Sequence, residues 1–133
     1  MATPADTIDD AGYIDFTAAP WPEILQRCAD SANKQARNAA LAAGSRNRYI
    51  EASREWFQNM APTWDSIVTD HRKAQTMIIA SRGHPKTPCL PLCSKNGSRP
   101  FRACLVHPGH FASACANCQA RDWRNRCNHN RKP

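Results

Sequence analysis

Apolar side chains in the first two-thirds of the chain return at helical spacing. After Pro20-Trp21-Pro22, with proline tolerated in a first turn, apolar or small residues recur at Ile24, Leu25, Cys28, Ala32, Ala36, Ala39, Ala40 and Ala43, and Gly44 supplies a stop. Ser45 can cap a second helix, whose stripe runs through Tyr49, Ile50, Ser53, Trp56, Phe57 and Met60. Pro62 opens a third helix or kinks the second, and Trp64, Ile67, Val68, His71, Met77 and Ile78 carry the stripe to Gly83. This pattern predicts a mainly α chain, with a helical hairpin or three-helix bundle over residues 20–83. An aromatic stripe of this kind packs a core, so Trp56 and Phe57 are assigned to packing. Cys28 lies on the apolar face and reads as a small core hydrophobe, a reactive thiol being the alternative. His71 reads as a packed or surface histidine. Residues 1–19 are small, acidic and unpatterned, and are expected to form a disordered lead-in from which Tyr13, Ile14 and Phe16 could dock on the body.

At Gly83 the pattern stops. Gly83, Pro85, Pro88, Pro91, Gly97, Pro100, Pro108 and Gly109 break helix and strand alike, placing a boundary near residues 82–87 and a separate, loop-rich module over residues 84–133. Apolar residues are too scattered there to close a core on any periodicity, so a cross-link must hold it together. The stretch from Cys89 to His129 carries six of the seven cysteines: Cys89, Cys93, Cys104, Cys115, Cys118 and Cys127. It also carries His107, His110 and His129. The acidic N-terminus has neither the basic nor the apolar region of a signal peptide, so a reducing compartment is expected, where clustered cysteines bind metal in preference to forming disulfides. An odd cysteine count points the same way. Cys115-x-x-Cys118 is a knuckle that sets two thiolates on one tetrahedral ion, and Cys89-x3-Cys93 falls within the usual ligand spacing. We read the segment as zinc-stapled.

Charge adds a partner to this picture. The formal net charge is +7, but residues 84–133 hold nine basic residues against Asp122 alone, a net +8, which leaves the first 83 residues at −1. Two zinc ions on six thiolates carry a net charge of about −2 and so offset only a fraction of that excess. A basic segment of this kind faces a polyanion. The candidate phosphate contacts are Lys95, Arg99, Arg102, Arg121, Arg124 and Arg126. No run approaches the roughly 20 apolar residues that a membrane helix needs, and no membrane partner is expected.

The ligand order is C-x3-C-x10-C-x10-C-x2-C-x8-C, two half-motifs of three thiolates each. Six thiolates fill two tetrahedral zinc sites when two sulfurs bridge the metals. The alternative set adds histidine, with Cys104-x2-His107 and Cys127-x-His129 as local pairs and His110 standing in for His107, enough for two separate sites. Cys115-Ala-Asn-Cys118 followed by Arg121, Arg124 and Cys127 resembles the second half of the fungal binuclear zinc cluster of transcription factors. It is more similar still to a Cys-rich fungal family of uncharacterised function whose pattern places a Phe shortly before the third cysteine, as Phe101 precedes Cys104. The resemblance covers about residues 88–129. The first half departs from the transcription-factor pattern, with three spacers in place of two and ten in place of six. Gly97 and Pro100 also interrupt the segment that in that family forms a DNA-reading helix. The eight-ligand alternative resembles ubiquitin-ligase zinc domains. Trp123 either covers the metal from water or stacks on a base.

These features predict a zinc-binding module, with two ions, that contacts nucleic acid through a basic surface. The resemblance implies a regulatory, transcription-related role and a nuclear location. A zinc-stabilised protein-interaction module is the alternative, with a ubiquitin-ligase-like protein as its enzyme form. No nucleophile–base–acid set and no Gly-rich phosphate loop is visible, so no catalytic residue and no small-molecule substrate are assigned.

Overall fold

The computed structural model describes residues 3–31, 46–86, 99–107, 114–120 and 127. A 3-10 turn (Pro4–Thr7) and strand β1 (Tyr13–Ile14) precede helix α1 (Trp21–Ser31). Strand β2 (Ile50–Glu51) and helices α2 (Arg54–Met60), α3 (Trp64–Val68) and α4 (His71–Arg82) follow. Strands β3 (His84–Lys86) and β4 (Cys104–Val106) and the short helix α5 (Ala116–Ala120) complete the order. β1 pairs antiparallel with β2, and β3 with β4, the latter in a register that sets His84 opposite Val106 and Lys86 opposite Cys104. The fold is therefore mixed α/β, which corrects the expectation of a mainly α chain. Each strand is only two or three residues long, too short for a period of two to register in the sequence.

α4 is the central element. Its residues from Ala74 to Ser81 are all buried, and it packs against α1, α3, α5 and β4. A helix enclosed on every side tolerates small and mid-sized residues such as Ala74, Ala80 and Met77 around its circumference. Asp70 starts it by accepting hydrogen bonds from the backbone N–H of Arg72 and Lys73. α1 meets it with Trp21, Ile24, Leu25, Cys28 and Ala29, the apolar stripe that the sequence shows. Residues 32–45, where the predicted stripe continues, lie outside the described residues.

The second predicted helix starts later than its stripe suggested. Residues 46–49 are irregular, Ile50–Glu51 is strand, and the helix is capped by Ser53, whose side chain accepts from the Trp56 N–H. Tyr49 adopts φ +57°, a left-handed conformation that no helix contains. Trp56 and Phe57 pack in the core as assigned, at 6% and 0% exposure. Between Pro62 and Gly83 lie two helices, α3 and α4, with Thr69 and Asp70 between them.

Residues 3–19, expected to be a disordered lead-in, are packed on the body. Ala5, Ile8, Ile14 and Phe16 are buried. Arg54 donates to the carbonyls of Ala5, Ile8 and Asp9, and the Trp21 indole N–H donates to Thr7 Oγ1. These anchors are hydrogen bonds from distant side chains, to backbone carbonyls and to the Thr7 hydroxyl, and leave no periodic mark in the sequence.

Nor does the core stop near residues 82–87. Phe101, Leu105 and Ala116 belong to the same buried cluster as Phe16, Trp21 and Ile78. Aromatic rings run through it in a continuous row. Trp64 stacks edge-on against Trp21 at 5.1 Å, Trp21 against Phe16 at 4.9 Å, and Phe16 contacts Phe101 at 6.3 Å. Phe101 in turn meets Phe57 at 6.2 Å, and Phe57 meets Trp56 at 5.0 Å. Edge-on contacts at these separations each add about 0.5–1.5 kcal/mol beyond the area they bury.

Gly83 closes α4 where the helix passes beneath β4. A Cβ there would lie 2.6 Å from the Ile79 carbonyl oxygen and 3.1 Å from the Val106 carbonyl carbon and oxygen. Backbone atoms on both sides leave no side chain that could yield. Gly83→Ala should therefore lower stability by about 1–3 kcal/mol, read in urea as a lower midpoint with an unchanged slope. An unaltered midpoint would show that β3 and β4 can move off the helix end at no cost.

Candidate metal centre

The cysteines meet where β4 passes α5. Along β4 the side chains alternate: Leu105 joins the aromatic core, while Cys104 and Val106 join a second buried cluster with Ala114, Cys115, Cys118 and Cys127. Val106 also bridges to Cys115 in antiparallel fashion, which fixes the start of the knuckle against the strand. Helix α5 begins directly after Cys115, and the Gln119 N–H donates to the Cys115 carbonyl at 3.0 Å. Cys115 thus precedes the helix and Cys118 lies within its first turn.

This arrangement gathers three sulfurs. Cys115, Cys118 and Cys127 have Sγ atoms all within 4.8 Å of one another, and all three residues are buried. Backbone N–H groups point at two of them: Cys118 N–H donates to Cys115 Sγ at 3.4 Å, and Cys115 N–H donates to Cys127 Sγ at 3.3 Å. Such donors favour sulfur in its anionic form. Among the described residues, no disulfide joins one cysteine to another.

The donor set fits a thiophilic metal ion. Tetrahedral zinc with Zn–S near 2.3 Å needs sulfurs roughly 3.8 Å apart, a separation that falls inside the 4.8 Å limit within which the three sulfurs lie. Three thiols packed this closely and cut off from water are otherwise hard to ionise. The group that can hold an ion is thus the C-x2-C-x8-C half-motif read from the sequence. Among the described residues Cys104 and His107 are not part of that trio, although both are buried, at 1% and 8% exposure. Cys89, Cys93, His110 and His129 lie outside the described residues.

Of the candidate phosphate contacts, Arg99 and Arg102 are described. Arg99 is half-buried. Arg102 is exposed and pairs with Glu51 at 3.1 Å, while its backbone N–H donates to the Glu51 carbonyl at 3.2 Å. Lys95, Arg121, Arg124 and Arg126, like Trp123, lie outside the described residues. Cys28 is far from the cluster in sequence, and burial pushes its thiol pKa up to about 12, as suits a core residue and not a reactive one.

One residue escaped the sequence reading. Asn117, inside the knuckle, is fully buried. Its Oδ1 accepts from the Phe101 N–H at 3.1 Å, and its Nδ2 donates to the carbonyls of Phe101 at 2.8 Å and Ala103 at 3.4 Å. The amide therefore ties the knuckle to the aromatic that enters the core and to the residue just before Cys104. A short amide between two cysteines was the available signal, since asparagine carries both a donor and an acceptor. Behind it, Gln119 Nε2 donates to Gln75 Oε1 at 2.6 Å and links α5 to α4.

Residues 76–130 match the model of a family described as "Protein of unknown function (DUF3716)". The match starts within α4, so it takes in the second half of that buried helix as well as the cysteines. No curated protein and no solved structure matches the chain.

Replacing the Asn117 amide tests its role directly. Asn117→Ala leaves the Phe101 N–H and carbonyl buried without partners and should cost about 2–4 kcal/mol in chemical denaturation of the metal-loaded protein. Asn117→Asp keeps the acceptor but loses the donor and buries a charge, so it should be no better tolerated at neutral pH. A loss below about 0.5 kcal/mol in both variants would mean that the knuckle seats without the amide.

Proposed function

We propose that the chain is a zinc-dependent binding module in which the metal is structural and the basic cysteine-rich segment contacts nucleic acid in a regulatory, nuclear setting. The supporting observation is the buried Cys115–Cys118–Cys127 trio, set within a segment of net charge +8. Once a fourth thiolate joins the trio, a tetrahedral ion held there has no open position for a reacting molecule. When bound, the ion supplies a cross-link and no chemistry of its own.

Cys104 is our choice to complete the coordination of the trio, since it is buried in the same cluster on the strand face that turns toward it. With Cys89 and Cys93 the set reaches six thiolates, and two ions share them through bridging sulfurs. His107, His110 and His129 are the substitutes if the two ions are held separately. Lys95, Arg99, Arg121, Arg124 and Arg126 supply phosphate contacts, with Arg102 joining them at the cost of its pairing with Glu51. Arginine's planar fork suits phosphate oxygens, and the attraction needs no reading of base sequence.

Elemental analysis of freshly purified protein should give about two zinc ions per chain. Cys115→Ala and Cys118→Ala should each abolish one site or both, whereas joint replacement of His107, His110 and His129 should leave the stoichiometry unchanged. A fall to one ion in the histidine variant would establish two separate sites. Because Phe101 and Leu105 lie in the shared core, chelation should lower the stability of the whole chain and not merely unravel its C-terminal end.

Binding to DNA or RNA should weaken steeply between low and physiological salt, as counterions released on binding require. Arg124→Glu with Arg126→Glu should weaken it further while zinc content stays constant. No binding at low salt would overturn the nucleic-acid reading and leave the protein-interaction module in its place.

A further inference from the structure

A second group of cations lies at the C-terminal end of α4. The irregular segment 46–49 crosses that end and is held there by Asn47. Its backbone N–H donates to the Ser81 carbonyl at 2.6 Å, and its side-chain amide donates to the carbonyls of Ala80 at 3.0 Å and Gly83 at 2.7 Å. The Asn47 carbonyl accepts from the Phe16 N–H at 3.1 Å, so the segment is fastened from both sides. Four carbonyl and amide contacts on one asparagine fix the residues on either side of it.

What Asn47 fixes is basic and aromatic. Arg46 precedes it, Arg48 and Tyr49 follow it, and Arg82 is the last residue of the helix it crosses. Arg46 and Arg82 stand close enough that, after burial, the Arg46 charge also lowers the Arg82 pKa. Asp15 is the carboxylate that faces Arg48, while the neighbouring Glu51 is occupied by Arg102. β3 continues the surface with exposed His84 and Lys86, and Lys86 is paired in register with Cys104. The patch therefore runs on toward the cysteine cluster.

Tyr49 is the unusual member. It is 65% exposed, although the chain packs six aromatic rings in one row, five of them buried. It also holds φ +57°, a conformation that costs any residue with a Cβ. Neither burial nor local backbone preference accounts for a large aromatic there. Exposed rings flanked by arginines serve as stacking platforms for unpaired bases, with the cations on the flanking phosphates.

We infer that residues 46–49 and the C-terminal end of α4 form a contact surface for single-stranded nucleic acid, Tyr49 stacking on a base while Arg46, Arg48 and Arg82 hold phosphates. The inference rests on the nucleic-acid reading above and adds a strand type and a site outside the C-terminal loop cations. A duplex offers no free base face at this position, so the stacking contact selects for single strands.

Fluorescence anisotropy with the zinc-loaded full chain tests it, using labelled oligothymidylate and a duplex of equal length at low salt. Tyr49→Gly should lose about tenfold in affinity for oligothymidylate with little change on the duplex. Glycine accepts the positive φ, so the melting temperature of this variant should not fall. Arg46→Glu with Arg48→Glu should reduce the slope of log affinity against log salt by about 0.7 for each contact removed. Wild-type binding that neither variant alters, or an equal loss on single strand and duplex in Tyr49→Gly, would overturn this inference and leave the nucleic-acid reading to Arg124 and Arg126. Absence of wild-type binding to either probe would overturn both together.

Discussion

One buried amide ties the cysteine knuckle of this protein to its aromatic core. Asn117 satisfies both backbone groups of Phe101 and reaches Ala103, and it does so from between two of the sulfurs that can hold a metal. Take that amide away and Phe101, wholly enclosed, has polar backbone atoms buried against rings. With it, Phe101 fits between Phe16 and Phe57, and the row of rings extends from Trp64 to Trp56 without a gap. Metal geometry and core packing are thus two readings of one set of positions: a shift of the knuckle moves Phe101, and a shift of Phe101 moves the knuckle.

The sharing of the core also explains how a segment so rich in glycine and proline is organised. Its own apolar residues are few, as the sequence shows, but they need not form a core of their own. Leu105 turns one way into the helical cluster, and Cys104 and Val106 turn the other way toward the thiols. A strand of three residues suffices as a partition because each of its faces is backed by something different. The register of β3 against β4, held by the close approach of Gly83 to Val106, keeps those faces from being exchanged.

What could be read in advance follows from the range of the forces involved. The stripe of α1, the burial of Trp56 and Phe57, and the end of α4 at Gly83 are local matters of period and capping, and the sequence displays them. The C-x2-C-x8-C trio was legible for the same reason, since ligand spacing is a local property. Tyr49 and Ile50 misled because three- and four-residue spacing extended the α2 stripe backward through residues that form an irregular turn and a strand. The N-terminal residues misled because Arg54, far along the chain, supplies the donors that hold them. Phe101 stood out as a family mark near Cys104, but its place in the helical core depends on contacts from Phe16 and Phe57, which no spacing rule contains.

The core draws on Ala5 and Ile8 at one end of the chain and on Phe101, Leu105 and Ala116 near the other. During synthesis, therefore, the helices α1 to α4 emerge with a vacant place at the centre of their aromatic row, where Phe101 will later fit. The place between Phe16 and Phe57 can be filled in its native form only after Phe101 and the Asn117 amide that holds it have both been made. Folding of this core is in that sense sealed from its C-terminal side: residues made later close an interior that the earlier ones leave open.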